Sequence, residues 1–121
     1  MTSTQAQVTE FHRSFNVAID APWSMDLVDL RTTLIFEEAA EVADALRTGD
    51  PLQVAQELAD LVYVAYGTAV SLGIDLDAAL AEVHRSNMSK LGPDGQPILR
   101  EDGKVLKGPY YIPPDMTKAC R

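Results

Sequence analysis

Two groups of carboxylates recur at helical spacing in places where the surrounding pattern calls for apolar side chains. The first is Glu37-Glu38-Ala39-Ala40-Glu41. At 100° per residue its three glutamates fall in one sector about 100° wide. That sector continues the apolar stripe begun by Leu27, Leu30 and Leu34. The second group, Glu57-Leu58-Ala59-Asp60, places two acids at i, i+3 beside Val54, Leu58, Leu61 and Val64. A chain with this pattern must form two consecutive helices and face their acidic sectors onto something that tolerates the charge.

Periodicity and punctuation extend the helical reading to most of the chain. Val8, Phe11, Phe15 and Ile19 recur at spacings of three and four, predicting a first helix near 4–19 that Ala21-Pro22 breaks. A second helix is predicted near 25–47, ended by Gly49. Asp50-Pro51 is an N-cap followed by proline at the first helical position, opening a third helix near 51–72 that Gly73 stops. Asp75 is placed to cap a fourth, near 76–86. Beyond Asn87 the chain turns to loop chemistry, and 98–106 reads as a short hairpin with Asp102-Gly103 at its turn. The expected architecture is an all-α, four-helix bundle forming a single domain over 1–121. Its helical core spans about 4–86, and an irregular tail over 87–121 carries the hairpin.

Charge narrows the function. The net charge is −8, which disfavours polymeric nucleic acid as a partner. Residues 1–86 hold 14 acidic and four basic groups, and residues 87–121 hold four acidic and six basic ones. An acidic body with a basic tail suits a cation and an anionic ligand taken together. No apolar run approaches the ~18 residues of a membrane span, and the single cysteine, Cys120, forms no intrachain disulfide. A cytoplasmic location is expected.

Clustered carboxylates on a partly buried face repel one another and lose hydration. No lysine occurs before residue 90, and the arginines are too scattered to neutralise five acids. A divalent cation is the economical compensation, and an all-oxygen ligand set suits Mg²⁺, or Mn²⁺. The alternative is a pair of solvated helix faces. A di-iron site is disfavoured because such bundles use Glu-x-x-His, and neither His12 nor His84 lies three residues after an acid of either cluster. No Gly-x-Ser-x-Gly motif is present.

The paired motif, Glu37-Glu38-x-x-Glu41 followed by Glu57-x-x-Asp60, resembles the signature of the MazG-like all-α nucleotide pyrophosphohydrolases. Ser86-Asn87-Met88-Ser89-Lys90 is similar to that superfamily's Asn-x-x-Lys segment. Asp102-Gly103-Lys104-Val105-Leu106-Lys107-Gly108-Pro109 resembles the tail of the branch related to phosphoribosyl-ATP pyrophosphohydrolase. The resemblance implies Mg²⁺-dependent hydrolysis of the α–β phosphoanhydride of a nucleoside triphosphate or related nucleotide to monophosphate and pyrophosphate. It implies Glu38, Glu41, Glu57 and Asp60 as metal ligands, with Glu37 binding a second ion or orienting the attacking water. Asn87 and Lys90 would reach the nucleotide. It also implies a homo-oligomer, a dimer at least, with a tetramer as the larger alternative. The alternative function is a non-catalytic oligomeric protein of the same fold that binds a nucleotide or metal.

Lys104 and Lys107 are further candidates for phosphate contacts, as the only lysines besides Lys90 and Lys118. By the same resemblance His12 and Trp23 are candidates to face a nucleobase. The plainer reading puts Trp23 in the core beside Pro22 and His12 at the surface.

Overall fold

The structure is a computed structural model that describes residues 2–120. It contains four helices and, among the described residues, no strand: α1 (Thr4–Ser14), α2 (Met25–Thr48), α3 (Pro51–Leu72) and α4 (Leu76–Met88). The fold is all-α. No described helix is long and apolar enough to cross a membrane.

Local chemistry sets the boundaries. Ser3 caps α1 by accepting from the Ala6 N–H, and Ser24 caps α2 by accepting from the Leu27 N–H, each at 3.1 Å. Asp50 accepts from the Leu52 N–H at 3.0 Å, with Pro51 opening α3. Gly49 and Gly73 end α2 and α3 in the left-handed conformation, with φ of 71° and 74°.

The first helix stops at Ser14, five residues before the boundary that periodicity predicts. Asn16 and Asp20 both take positive φ, 57° and 47°, so the helix cannot continue to Ile19. The connector docks on the end of α3 instead. Asp20 N–H donates to Val70 O at 3.0 Å, Ala21 N–H to Ser71 O at 2.8 Å, and the Ser71 hydroxyl to Ala18 O at 2.9 Å.

The described residues group into two compact units that divide between Asp75 and Leu76. In the first, α3 packs against both α1 and α2, around Val8, Leu27, Ala45, Tyr66, Ala69 and Val70. The buried face of α2 runs Leu27, Arg31, Ala45, with Leu34, Glu38 and Val42 half-buried between them. An arginine thus holds a core position, and Leu30, expected on this face, is about half exposed.

In the second unit the tail folds back on the end of α4. The Ser86 hydroxyl donates to Ile112 O at 2.8 Å, Ile112 N–H donates to Ser89 Oγ at 2.9 Å, and Asp115 N–H donates to the Glu82 carboxylate at 2.9 Å. Gly108 N–H donates to Lys90 O at 3.0 Å. The expected hairpin is reduced to one antiparallel bridge, Leu99–Val105. The turn at Asp102-Gly103 forms, closed by Arg100 N–H to Lys104 O, but the flanking segments leave the ladder at once.

Candidate metal centre and ligand pockets

Helix α2 and helix α3 bring three of the candidate acids together. One carboxylate oxygen from each of Glu38, Glu41 and Glu57 lies within 4.8 Å of the others. Glu38 and Glu57 are half-buried and Glu41 is exposed. One oxygen each of Glu38 and Glu57 (Oε2) is enclosed and has no hydrogen-bond partner. Such an oxygen has given up water without receiving a donor, which is costly for a carboxylate.

The electrostatics follow from that crowding. Burial, then the Glu41 carboxylate and a hydrogen bond shared with it, then Asp60 and Glu57, push the Glu38 carboxyl above its ordinary value. Glu57 is also raised, first by its hydrogen bond with Glu41, then by burial and by the charges of Glu41 and Asp60. The cluster is under-neutralised: both carboxyls are raised, and each keeps one enclosed oxygen without a partner. Two enclosed, unpartnered oxygens on a three-carboxylate set fit a hard divalent cation.

The other two acids are placed differently. Asp60 is half-buried and acts on Glu38 and Glu57 through its charge, but is outside the set whose oxygens converge. Glu37 is exposed and also outside that set.

In the second unit, Asn87 and Lys90 line a cavity of about 420 Å³ together with Met88, Leu91, Pro97 and Val105. Lys107 does not line it, and its ammonium lies 4.8 Å from the Tyr111 ring centroid. Lys104 is exposed.

His12 and Trp23 reverse the plainer expectation. Trp23 is 70% exposed, and His12 is 3% exposed. His12 is buried because its Nδ1 meets the Ala18 carbonyl at 2.9 Å in the docked connector. Trp23 lies in the segment without regular structure just ahead of the Ser24 cap.

Arg31, which the sequence pattern leaves among scattered arginines, is 6% exposed. Its Nε donates to Thr68 Oγ1 at 3.0 Å and its Nη2 to Val64 O at 2.9 Å. Burial lowers its pKa from the ordinary value. The signal available in the sequence is its place on the α2 stripe, four residues after Leu27 and seven before Glu38.

The sequence pattern of phosphoribosyl-ATP pyrophosphohydrolase matches residues 8–87, an interval that contains both acidic motifs. The chain belongs to that family. The family is part of the MazG-like all-α pyrophosphohydrolase superfamily, and its matched segment ends at Asn87. The chain is also similar to "Uncharacterized protein L479" of Acanthamoeba polyphaga mimivirus, at 28% identity over 116 residues. That match covers 90% of this chain and 43% of the viral protein, so the chain spans less than half the length of this relative.

Proposed function

We propose that this protein is a Mg²⁺-dependent nucleotide pyrophosphohydrolase that cleaves the α–β phosphoanhydride of a nucleoside triphosphate or related nucleotide. The observation that carries the reading is the convergence of Glu38, Glu41 and Glu57 within 4.8 Å, with enclosed unpartnered oxygens on two of them, in a chain of this family. A structural role for these acids would have supplied those oxygens with donors.

In this reading Glu38, Glu41, Glu57 and Asp60 hold the cation, with Mn²⁺ an acceptable substitute. When bound, Mg²⁺ neutralises phosphate charge and lowers the pKa of bound water. Glu37, exposed beside the cluster, orients the attacking water or serves a second ion. Asn87 and Lys90 contact the nucleotide. Lysine is suited to phosphate as a compact point charge, and Lys104 and Lys107 are its secondary candidates. In this reading residues 1–121 are a single pyrophosphohydrolase domain.

A homo-oligomer is part of the proposal. Phe36 and Leu46 on α2 and Leu52 and Val62 on α3 are exposed, and apolar side chains concentrated on two adjacent helices suit contact with another copy. A cytoplasmic location fits the composition.

The test is product analysis across a panel of nucleoside triphosphates with Mg²⁺. Monophosphate and pyrophosphate in equal amounts support the reading. Diphosphate and phosphate, or no turnover with nucleotide still bound, would replace it with another hydrolase or with a non-catalytic binding protein.

A further inference from the structure

The three converging acids meet only when α2 and α3 hold one register. Glu38 and Glu41 come from α2 and Glu57 from α3. The turn between the helices fixes that register at one end. Glu41 lies eight residues before Gly49, and Glu57 eight after it. Eight helical residues span about 12 Å, so the join alone leaves sliding and rolling at the acids unrestrained.

Packing next to the acids does little to restrain them. Leu34 on α2 and Val64 on α3 are half-buried, and with Phe11 and Tyr63 they wall a cavity of about 290 Å³. That stretch of the seam is not filled by side chains, and apolar burial is non-directional in any case. Direction comes from Arg31, on the side of the acids away from the turn. It stands seven residues before Glu38, and its acceptor Val64 stands seven after Glu57. Its Nε donates to Thr68 Oγ1 at 3.0 Å and its Nη2 to Val64 O at 2.9 Å. The acid cluster thus lies between two fixed points, the turn and this pair of bonds, at similar distances along the helices from each.

Stability alone does not account for the residues used. Burying a guanidinium without a carboxylate is unfavourable, and among the described residues none pairs with Arg31. An apolar side chain of similar length would fill the place at lower cost. Helix α3 also gives up a side chain to admit it. A Cβ at Gly67 would lie 2.5 Å from Arg31 Nη2, and glycine is itself unfavourable in a helix interior. Two unfavourable choices meet at one contact. The best-attested use of such buried polar groups is to fix the register of one helix on another.

We infer that Arg31 is a positioning residue for the metal site: its two bonds to α3 set the register that brings Glu38 and Glu41 against Glu57. The inference rests on the cation reading of that cluster. The support matters because Mg²⁺ demands near-ideal geometry, and such sites must be held to within about 0.5 Å.

Calorimetric titration with Mn²⁺ of wild type, Arg31→Met and Thr68→Val tests it, with urea midpoints measured on the same metal-free proteins. Arg31→Met strands no acceptor, because Thr68 Oγ1 also donates to Val64 O at 3.0 Å, and its midpoint should stay near wild type. Its Kd for Mn²⁺ should rise about tenfold or more, the lower end of what losing an outer support of a metal site costs. The sign separates geometry from charge. A guanidinium about 10 Å along the helix from Glu38 repels a cation, so charge alone predicts tighter binding once it is removed. Thr68→Val keeps the charge, removes the Nε acceptor and should also weaken binding; it decides alone if Arg31→Met fails to fold. Unchanged or tighter Mn²⁺ binding in the folded variants overturns the inference, even where the urea midpoint falls. If wild type takes up no Mn²⁺, the cation reading fails separately, and the register is read without metal. Glu38→Cys and Glu57→Cys, in a Cys120→Ser background, are then joined by a methylene-bridged bis-thiosulfonate. Slower cross-linking when Arg31→Met is added supports the positioning role, and an unchanged rate overturns it.

Discussion

Replacing Gly67 by alanine tests how tightly the α2–α3 seam is built. Propensity alone favours the change, by about 1 kcal/mol for alanine over glycine in a helix interior. Packing opposes it, since the new Cβ would stand 2.5 Å from Arg31 Nη2 and 3.0 Å from His12 Nε2. A guanidinium is the end of a flexible chain and would normally swing aside. Here it is buried and held by Thr68 Oγ1 and Val64 O. Overpacking a filled interior costs about 1–3 kcal/mol, and losing one hydrogen bond from a charged donor costs about 1.5–3 kcal/mol. Set against the propensity gain, the net loss is about 1.5–5 kcal/mol, which lowers the melting temperature by roughly 6–20 °C in a chain of this size. Chemical denaturation of wild type and Gly67→Ala, with a check that the m-value is unchanged, measures it. A variant as stable as wild type, or more so, would show that Arg31 gives way freely and that the seam is not rigid.

Three further outcomes follow from the same structure. Mg²⁺ or Mn²⁺ should raise the melting temperature, by about 2.7 kcal/mol of added stability at one hundred times the dissociation constant. Glu41→Gln should remove that response while leaving the metal-free protein at least as stable, and Glu37→Gln should weaken it less; a melt indifferent to metal would count against the cation site. The Glu82 carboxyl is held at about 2, against an ordinary 4.5, first by its hydrogen bond with Arg85 and then by the Asp115 N–H. A depressed carboxyl stabilises the fold fully above 4.5 and ceases to as pH falls towards 2, so the stability gap between wild type and Glu82→Gln should narrow across that window. A gap that stays constant through that whole window would refute the assignment. Light scattering at micromolar concentration should give a dimer or larger assembly, and a monomer would contradict the oligomer.

Much of this architecture is legible in the sequence because its signals are local. Ser24, Asp50-Pro51, Gly49 and Gly73 mark helix ends through their own hydrogen bonds and dihedrals, so α2 and α3 fall within a residue of their predicted limits. The acid cluster is legible for a related reason: helical spacing fixes which faces Glu38, Glu41 and Glu57 occupy. What sequence does not convey is tertiary. Phe15 and Ile19 continue the apolar period of α1, but the connector's hydrogen bonds to α3 end the helix at Ser14. The same docking buries His12, which local pattern treats as a surface residue. Arg31 escapes the pattern because charge normally excludes a residue from a stripe, and only the acceptors at Val64 and Thr68 make its burial tolerable. The hairpin at 98–106 has the right turn but too little apolar pairing to extend beyond Leu99–Val105.

The central claim is that Glu38, Glu41 and Glu57 hold a divalent cation on which phosphoanhydride cleavage depends. Pyrophosphate release measured against Mg²⁺ concentration, for wild type and Glu41→Gln on the best triphosphate, tests it most directly. The account predicts release that requires Mg²⁺ and that falls in Glu41→Gln by more than the roughly 10–100-fold typical of losing a group in a metal's outer shell. Release without divalent cation, or undiminished turnover in Glu41→Gln, would contradict it.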